Sequence, residues 1–469
     1  MTPPARVVVV GGGIAGLAAA HELAGHGLEV AVREAGDALG GKIRTEAFAG
    51  AALDVGPDAF LSRRPEAVEL CRALGLGDEL VAPSAGAAFV WVGRHLRRLP
   101  AAMVLGVPTR LGPLVRSRVL SPPGVVRAAV EPLLPGRPLA DDDAALGALV
   151  RRRFGTEVHE RLVDPLVGGI TAGDTDRLSV EVVAPQLAAA ARRHRSLGIG
   201  ARKAGAGGDP LPGATPPFLT LPGGLGRLVE VLGEHLAGAG VDVRTADAVS
   251  SLRLGPHGGY VVEGRSGPTV ADAVVLAAPT PVAARLVGPH APDSAATLAA
   301  IEYASVTLVA FAFPTAAVGR RLDGSGFLVA RGQGRLMTAC SWTSSKWPHV
   351  ASDDRVVLRV SAGRSGDDRA DRLSDEALVV ALRLELAEAL GIVGPPLEVG
   401  VTRWREAFPQ HAPGHRRRIA AVESGLAHRL PGVALAGAAL DGVGLPACIA
   451  SGQAAARTAL AHALGRGSG

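Results

Sequence analysis

Residues 6–45 read RVVVVGGGIAGLAAAHELAGHGLEVAVREAGDALGGKIRT, and this stretch decides the fold. Residues 7–10 are four valines, an unbroken β-branched run that is typical of a central parallel strand buried on both faces. A glycine-rich turn follows, apolar residues at helical spacing predict a helix over residues 14–26, and a second strand is predicted over residues 28–33. This order of strand, turn, helix and strand predicts a Rossmann-like α/β unit built on a parallel sheet.

The glycine turn has the G-x-G-x-x-G spacing of a dinucleotide site. Gly11 permits the tight turn, Gly13 lets the backbone approach a pyrophosphate, and Gly16 lets the helix pack closely against the strand. Glu34 ends the second strand, where its carboxylate can accept hydrogen bonds from a ribose. The dinucleotide-contacting residues predicted from this segment are Gly11, Gly12, Gly13, Ile14, Ala15, Gly16, Glu34 and Ala35.

The residues that follow favour FAD over NAD as the bound dinucleotide. Residues 39–45, LGGKIRT, resemble the Gly-Gly-basic extension of FAD-containing oxidases and desaturases, which adds Gly41 and Lys42 to the predicted FAD contacts. A P-loop match over residues 36–43 is rejected, because an isoleucine occupies its final Ser or Thr position and no strand feeds the loop. Residues 223–229 lack the third glycine of a second fingerprint, so a built-in NAD(P)H domain is not predicted and electrons must leave to a small acceptor.

Length and composition limit the number of domains and the class of protein. The 469 residues, 48% of them hydrophobic, can bury large cores and predict two or three domains. Only three of the 49 basic residues are lysines, so the net charge of +5 partly reflects compositional bias. The three cysteines are far apart without a C-x-x-C, which favours neither a disulfide framework nor a metal site and fits a reducing cytoplasm. No signal peptide or membrane span is recognised, so any membrane contact is expected to be peripheral.

Residues 81–130 contain seven arginines and no acidic residue. This asymmetry suits an anionic partner, either a carboxylate-bearing substrate or acidic lipid headgroups, or else it forms a solvated face. Nucleic acid is not favoured as a partner, because only 3% of the residues are aromatic and no binding module is recognised. Eight prolines within residues 100–138 predict short helices, and the Gly- and Pro-rich residues 197–217 predict a loop.

Two further segments resemble the FAD-dependent porphyrinogen oxidases of haem biosynthesis, most of all the Gram-positive coproporphyrinogen III oxidases. Residues 56–61, GPDAFL, followed by two arginines, resemble a family loop between flavin and substrate, and residues 161–174, RLVDPLVGGITAGD, resemble a family motif almost residue for residue. Thr171 departs from this motif, since the family commonly has an aromatic residue there, which changes the expected shape of the substrate pocket. The resemblance implies flavin contacts from Gly56, Pro57, Asp58 and Ala59.

The C-terminal part of the chain extends the resemblance. Trp404 is expected either to stack near the flavin or to lie in the core, and His411 stands where the family usually has tyrosine. Residues 433–456, VALAGAALDGVGLPACIASGQAAA, match the second flavin motif of the superfamily, whose helix N-terminus faces the flavin and favours the negative charge of its reduced form. The further FAD contacts that the resemblance implies are Val249, at the adenine, and Trp404, Val443, Gly444 and Leu445.

The resemblance implies oxidation of a porphyrinogen to a porphyrin in three two-electron steps, with hydride passing to FAD and electrons to oxygen, which leaves as hydrogen peroxide. Asp58 and Gly169 are the candidate catalytic residues, and Asp58 contacts pyrrole N–H groups, stabilises charge or only caps its loop. Coproporphyrinogen III, a tetrapropionate, is the expected substrate, and protoporphyrinogen IX, a dipropionate, is the alternative. The candidate substrate contacts are Arg63, Arg64, Gly168 and Ile170.

The expected fold class is α/β, with α+β character overall. It comprises a discontinuous Rossmann-like FAD-binding domain, an antiparallel-sheet substrate domain and a helical domain that is a candidate for membrane contact. Their expected residues are 1–60, 218–295 and 396–469 for the first, 61–95 and 296–395 for the second, and 96–217 for the third.

Two other functions stay open. An amine oxidase or carotenoid desaturase would share the flavin motifs but should lack the motif of residues 161–174. A non-catalytic flavin-binding or porphyrin-carrying protein is the second alternative. The partners expected of an oxidase are a porphyrinogen, molecular oxygen and a ferrochelatase-type enzyme that receives the product. The expected location is the cytoplasm, at most peripheral to the inner face of the membrane.

Overall fold

The computed structural model describes residues 4–135, 143–204, 216–255 and 258–466. Its first layer is a five-stranded parallel sheet, called here the nucleotide sheet. The four valines of its central strand are 0–4% exposed, which confirms the predicted burial on both faces. In spatial order the strands are Asp242–Arg244, Glu29–Arg33, Arg6–Val10, Ala273–Leu276 and Val433–Leu435.

Both faces of the nucleotide sheet are covered. On one face the first helix, Ile14–Ala24, packs against the long C-terminal helix Leu445–Arg466. The two helices approach so closely that a Cβ added to Gly452 would lie 2.1 Å from the carbonyl oxygen of Ala15. The helix Gly226–Gly238 packs on the same face. The opposite face is covered by the helices Thr280–Val287, Pro292–Ala299 and His415–Arg429 and by a three-stranded antiparallel sheet of Ser251–Leu254, Tyr260–Gly264 and Gly267–Ala271.

A second layer, called here the large sheet, has seven strands and is antiparallel except for the pair Gly326–Val329 and Phe89–Val92. The strand Glu398–Pro409 lies at its edge and pairs with Tyr303–Pro314. It therefore belongs to the large sheet, which differs from the expected grouping of residues 396–469 with the nucleotide sheet. In spatial order the strands are Glu398–Pro409, Tyr303–Pro314, Arg355–Ala362, Met337–Ser341, Gly326–Val329, Phe89–Val92 and His95–Arg98.

The helix Asp375–Leu390 packs against the large sheet. Its leucines at residues 378, 382, 386 and 390 recur every fourth position, so they form one buried stripe. The Oγ of Ser374 accepts a hydrogen bond from the Ala377 N–H at its start, and Gly391 ends it in the left-handed conformation.

A third part of the chain, described over residues 111–135 and 143–203, consists mainly of short helices, as its prolines predict. Residues 197–203 form a helix with Ser196 as its N-cap, so the loop predicted over residues 197–217 is wrong at its start. Propensity misled here because the glycines of this helix pack closely on its neighbours; residues 205–215 lie outside the described chain. The helices are Leu111–Ser117, Pro122–Ala129, Leu146–Phe154, Thr156–Val158, Asp164–Thr171, Val180–Val183, Pro185–Arg193 and Leu197–Lys203, with a π-helical turn at His159–Val163.

Short elements connect these three parts. Within the described ranges, no helix combines the length and the apolar character needed to cross a bilayer. The connecting strand pairs are Thr45–Phe48 with Ala51–Asp54, Phe60–Leu61 with Phe218–Leu219, and Met103–Val104 with Val107–Pro108. The connecting helices are Pro65–Ala73, Thr343–Lys346, Arg369–Arg372 and Ala438–Asp441, with 3₁₀ turns at Gly77–Glu79, Glu131–Leu133, Thr315–Ala317 and Pro348–Val350.

Candidate active site

A cavity of about 1400 Å³ lies between the nucleotide sheet and the large sheet. One wall, the nucleotide wall, is formed by the turns at the carboxyl ends of the parallel strands, which is where open α/β sheets bind their ligands. The opposite wall, the substrate wall, is formed by the large sheet and by the helix Asp164–Thr171. The volume exceeds the roughly 300–1,000 Å³ of a typical small-molecule pocket, so the cavity has room for a dinucleotide and a second ligand.

The glycine turn on the nucleotide wall fits a dinucleotide pyrophosphate. Gly11 has φ 108°, and Gly16 packs so tightly that an added Cβ would lie 1.9 Å from the Gly11 carbonyl oxygen. A Cβ added to Gly13 would meet no atom within 4 Å, because this residue faces the open cavity at the start of the helix Ile14–Ala24. The open space therefore lies where the free N–H groups and positive end of a helix dipole favour phosphate.

The carboxylate of Glu34 is fixed at the end of the second strand. Its Oε2 accepts a hydrogen bond from the Gly12 N–H at 2.5 Å, and its Oε1 accepts one from the Gly36 N–H at 2.6 Å. Each oxygen keeps a second acceptor position, and the side chain lines the cavity. The carboxylate is thus oriented to accept ribose hydroxyl groups, as the second element of a dinucleotide site requires.

The other end of the cavity fits the flavin ring. The indole N–H of Trp404 donates to the Val55 carbonyl oxygen at 2.7 Å, and its ring lines the cavity, so this residue is part of the wall and not of the core. Residues 443–445 and the first turn of the helix Leu445–Arg466 lie at the same end. Burial lowers the pKa of the Lys42 ammonium beside them, and the nearby thiol of Cys448 partly offsets this.

Two buried histidines hold the short helix Ala438–Asp441, which precedes the helix Leu445–Arg466. The Nε2 of His411 lies 3.0 Å from the Ala438 carbonyl oxygen, and the Nε2 of His415 lies 2.7 Å from that of Ala439. Because the acceptors are carbonyl oxygens, both Nε2 atoms carry hydrogen. Burial and the neighbouring imidazole lower the pKa of His411 to about 4, so it is neutral at neutral pH. Sequence reasoning noticed His411 only as a departure from tyrosine, and no local pattern indicates its distant carbonyl partner.

Asp58 is bound by two cations, Arg359 from the strand Arg355–Ala362 of the large sheet and Lys346 from the short helix Thr343–Lys346. Its Oδ2 accepts hydrogen bonds from Lys346 Nζ at 2.8 Å and Trp347 Nε1 at 3.3 Å, and the guanidinium of Arg359 lies 3.3 Å away. Burial alone would raise the pKa of Asp58, but Arg359 and Lys346 outweigh it and hold the pKa well below its usual range. Asp58 is therefore a permanent carboxylate and a weak proton acceptor.

A partly buried ion-pair network forms part of the substrate wall. Asp164 is fully buried and accepts a bidentate pair of hydrogen bonds from Arg364, both at 3.0 Å. Arg331 lies 2.9 Å from Asp174 and 3.0 Å from Asp176. Arg331 and Arg364 line the cavity, and sequence reasoning missed both because arginine is abundant throughout the chain.

The motif of residues 161–174 is brought to the cavity by the helix Asp164–Thr171. Gly168, Gly169 and Ile170 line the substrate wall, and the side chain of Ile170 is half exposed within it. Thr171 is buried and donates to the Val167 carbonyl oxygen, so its side chain lies behind the wall. The departure from an aromatic residue at this position therefore affects the packing behind the wall and not its surface.

Of the site residues proposed from the sequence, five do not line the cavity and the others do. Arg64 pairs with Glu66 outside the cavity, and Val249 is buried in an apolar cluster beneath the nucleotide sheet. Gly12, Gly16 and Ala35 are not part of the cavity surface, and in the described chain no group of three or more His, Cys, Asp or Glu could hold a metal ion. Those that line the cavity are Gly11, Gly13, Ile14, Ala15, Glu34, Gly41, Lys42, Gly56, Pro57, Asp58, Ala59, Arg63, Gly168, Gly169, Ile170, Trp404, Val443, Gly444 and Leu445.

Comparison with known proteins identifies the family. The family model for flavin containing amine oxidoreductases matches residues 14–460. The coproporphyrinogen III oxidase of Bacillus subtilis (strain 168) is 37% identical over 97% of this chain and 98% of its own length, and that of Mycobacterium tuberculosis (strain ATCC 25618 / H37Rv) is 35% identical over 96% of each. A crystal structure of a protein from Exiguobacterium sp. 255-15 is 32% identical, with a TM-score of 0.85 over 97% of this chain and 98% of that chain.

These matches agree with the glycine turn, the placement of Glu34 and the size of the cavity. The protein is an FAD-dependent oxidoreductase, and its mixed α/β fold is the one expected from the sequence. The chain belongs to the flavin-containing amine oxidoreductase family and, within it, to the porphyrinogen oxidases.

Proposed function

We propose that this protein oxidises coproporphyrinogen III to coproporphyrin III, with molecular oxygen as the electron acceptor and hydrogen peroxide as the second product, in haem biosynthesis. The observation that carries the proposal is the charge of the cavity, which is lined by eight basic and five acidic side chains. A substrate with four propionates complements such an excess of cations. The names of the bacterial relatives point to the same substrate.

The cavity also offers apolar surface to the macrocycle. Leu105, Leu166, Ile170 and Phe408 line it, so the macrocycle can lie against apolar side chains while its propionates reach cations. Bound FAD supplies the hydride acceptor, and its holders would be the glycine turn, Glu34 and residues 443–445. The task of the protein is then to orient the macrocycle against the flavin edge and to exclude water.

Among the cavity arginines, Arg63 is a candidate for binding a propionate directly. It is exposed, it lines the cavity, and no ion pair engages it among the described contacts. Most other cavity arginines, such as Arg364 and Arg369, are bound to protein carboxylates. We therefore assign Arg63 to a substrate carboxylate, and Gly168 and Ile170 to the face of the macrocycle.

A direct comparison of substrates tests the proposal. Purified FAD-loaded protein is given coproporphyrinogen III or protoporphyrinogen IX, and porphyrin fluorescence and hydrogen peroxide are followed in air. We expect the higher kcat/KM with coproporphyrinogen III. A clear preference for protoporphyrinogen IX would favour the alternative activity, which is that of the chloroplastic Oryza sativa relative at 30% identity.

An anaerobic experiment separates an oxidase from a carrier. Coproporphyrinogen III added without oxygen should bleach the absorbance of the oxidised flavin, because two electrons pass from the substrate to the cofactor. A carrier would bind the porphyrinogen without bleaching. Failure of both porphyrinogens to bleach the flavin, while an amine or a carotenoid does so, would instead assign the protein to another activity of the same family.

We further propose a cytoplasmic location with peripheral contact to the inner face of the membrane, and transfer of the product to a ferrochelatase-type enzyme. Exposed apolar side chains on the short helices of residues 111–133 support the contact, and neighbouring arginines suit acidic headgroups. The exposed side chains are Leu111, Val115, Val126 and Leu133. Sedimentation with vesicles containing anionic lipid tests it, and equal recovery with and without vesicles would contradict it.

A further inference from the structure

The cavity is lined by five carboxylates, and four of them are engaged by the protein. Backbone N–H groups hold one, and lysine or arginine side chains hold three. Among the described contacts, only the carboxylate of Glu406 has neither an ion pair nor a hydrogen bond. The five are Glu34, Asp58, Asp174, Asp367 and Glu406.

Glu406 is placed by a β-bulge in the edge strand of the large sheet. Val306 pairs with Trp404 and Ala304 pairs with Phe408, so three residues of the edge strand stand opposite Ser305 alone. Bulges re-aim side chains and are frequent beside active sites. Here the bulge places Glu406 at the surface of the cavity, two residues after Trp404 at the flavin end.

The backbone of Glu406 is held in an unfavourable conformation. Its φ is 45°, in the left-handed region that residues other than glycine rarely adopt. Its N–H donates to the Ser305 Oγ at 3.0 Å, which fixes the bulge. Such strain costs about 1–3 kcal/mol and is retained mainly where function requires the placement of a side chain.

We propose that Glu406 is the proton acceptor in the dehydrogenation of the substrate, an inference that rests on the proposed function. In each two-electron step a C–H bond of a bridging methylene breaks, and its electron pair leaves as a hydride to the oxidised cofactor. The resulting cation is delocalised onto an adjacent pyrrole nitrogen. As the hydride leaves, the N–H bond of that pyrrole breaks, its electron pair completes a C=N double bond, and the proton passes to the Glu406 carboxylate. Three such steps remove six hydrogens and leave one methylene bridge and one N–H, and the shift of one proton from that methylene to a ring nitrogen gives the porphyrin.

Asp58, the other carboxylate beside the flavin end, is poorly suited to this step. Its contacts with Lys346 and Arg359 hold its pKa well below the usual range, so it binds a proton weakly. A general base contributes a factor of about 10²–10⁴ to a rate when its carboxylate is free to reach the proton. Glu406 meets this condition, because the residue is exposed, lines the cavity and has no ion pair among the described contacts.

The test is the substitution Glu406→Gln, which keeps the length of the side chain and removes the base. The rate of flavin reduction under anaerobic stopped-flow conditions should fall by about 100-fold, whereas the Kd of coproporphyrinogen III should stay within about twofold. The solvent deuterium isotope effect on flavin reduction should increase, because the N–H proton must then leave to water. Glu406→Asp, which retains a carboxylate, should recover part of the rate.

Glu406→Gly separates the chemical role from the strained backbone. Glycine adopts φ 45° without cost, so this variant should be at least as stable as the parent in a thermal melt, yet it should reduce flavin as slowly as Glu406→Gln. Glu302→Gln, which removes an exposed carboxylate that pairs with Arg177 away from the cavity, is the matched control and should behave as wild type.

Three outcomes overturn the inference. They are an unchanged rate of flavin reduction in Glu406→Gln, a change confined to the substrate Kd, and full activity in Glu406→Gly. Failure of the wild-type protein to reduce its flavin with either porphyrinogen contradicts the proposed function instead, so the two failures are distinguishable.

Discussion

The two walls of the cavity are held together by different interactions. The nucleotide wall consists mainly of backbone: glycines at close approach and amide N–H groups that bind the carboxylate of Glu34. The substrate wall is fixed largely by paired charged side chains, in which Asp164 binds Arg364, and Lys346 with Arg359 binds Asp58. One wall is specified by the space around a few glycines, and the other by the pairing of charges from distant parts of the chain.

This difference implies different vulnerabilities. A backbone wall fails when a Cβ atom enters space that the fold or the cofactor needs. An ion-paired wall fails when one partner is removed, because the remaining charge stays buried without compensation. Substitutions in the two walls should therefore separate cofactor binding from the stability of the substrate side.

The largest effect is expected from Asp164→Ala. Asp164 is fully buried, and burial alone would raise its pKa, but its hydrogen bonds with Arg364 outweigh this and keep the carboxylate ionised. Removing it leaves the guanidinium of Arg364, which is only 19% exposed, without its carboxylate partner, and this should cost about 3 kcal/mol in the free energy of unfolding. Denaturant melts measure this difference.

Asp174→Ala is the control for Asp164→Ala. Asp174 is a partly exposed member of the same network that pairs with Arg331, and its loss should cost at most about 1 kcal/mol. Equal losses in the two variants would show that burial does not set the contribution of these pairs, and the contrast between the walls would lose its physical basis.

The nucleotide wall should respond to the direction in which a glycine faces. The Cβ of Gly13→Val enters open cavity space, so the fold should persist while FAD binding weakens by about 100-fold, or roughly 3 kcal/mol. The Cβ of Gly16→Ala meets the Gly11 carbonyl oxygen at 1.9 Å, so this variant should lose about 3 kcal/mol of stability. Flavin absorbance per protein and circular dichroism distinguish the two, and a folded, FAD-replete Gly13→Val protein would refute the assignment.

The nucleotide wall could be predicted from the sequence because its determinants are contiguous. The glycine turn and the strands of residues 6–45 obey local rules of turn geometry and periodicity, and the parallel sheet they predict is observed. The strand with which each strand pairs is harder to predict, because the two are distant in the sequence. Residues 396–469 were expected in the FAD-binding domain, but the strand Glu398–Pro409 pairs with Tyr303–Pro314 in the large sheet, and a local pattern does not specify which sheet a strand joins.

The substrate wall could be predicted only in part. The resemblance drew attention to Asp58 and Gly168, which line the cavity, but Asp164 and Arg364 are 200 residues apart and meet only in the folded protein. Nothing local distinguishes Arg364 in a chain with 49 basic residues. Glu406 was also missed, because its exposure in the cavity follows from a bulge that depends on cross-strand pairing.

Asp54, close behind the nucleotide wall, should make the free energy of unfolding depend on pH. Burial is the main cause that raises its pKa to about 6, although its Oδ1 accepts hydrogen bonds from Thr45 Oγ1 and the Leu225 N–H. A folded-state pKa above the unfolded value means that ionisation destabilises the fold as pH rises from about 4 to about 6. Over this range Asp54→Asn should gain about 2–3 kcal/mol relative to wild type.

Denaturant melts of wild type and Asp54→Asn at several pH values measure this gain. Asparagine keeps an acceptor oxygen for Thr45 and Leu225, so the comparison isolates the charge. The difference in stability should be small near pH 4 and constant above about pH 6. A difference that does not change with pH would show that Asp54 is not the titrating group.

The smallest effect is expected on substrate affinity, where two adjacent arginines provide an internal control. Arg63 lines the cavity without an ion pair among the described contacts, whereas Arg64 lies outside it and pairs with Glu66. Arg63→Ala should raise the KM for coproporphyrinogen III by about 5- to 10-fold, the equivalent of roughly 1 kcal/mol for one partly solvated charge pair. Arg64→Ala should change KM by less than about twofold, as expected of a surface position. Steady-state kinetics with kcat unchanged in both variants would assign Arg63 to substrate binding, whereas equal KM values would remove this side chain from the substrate wall.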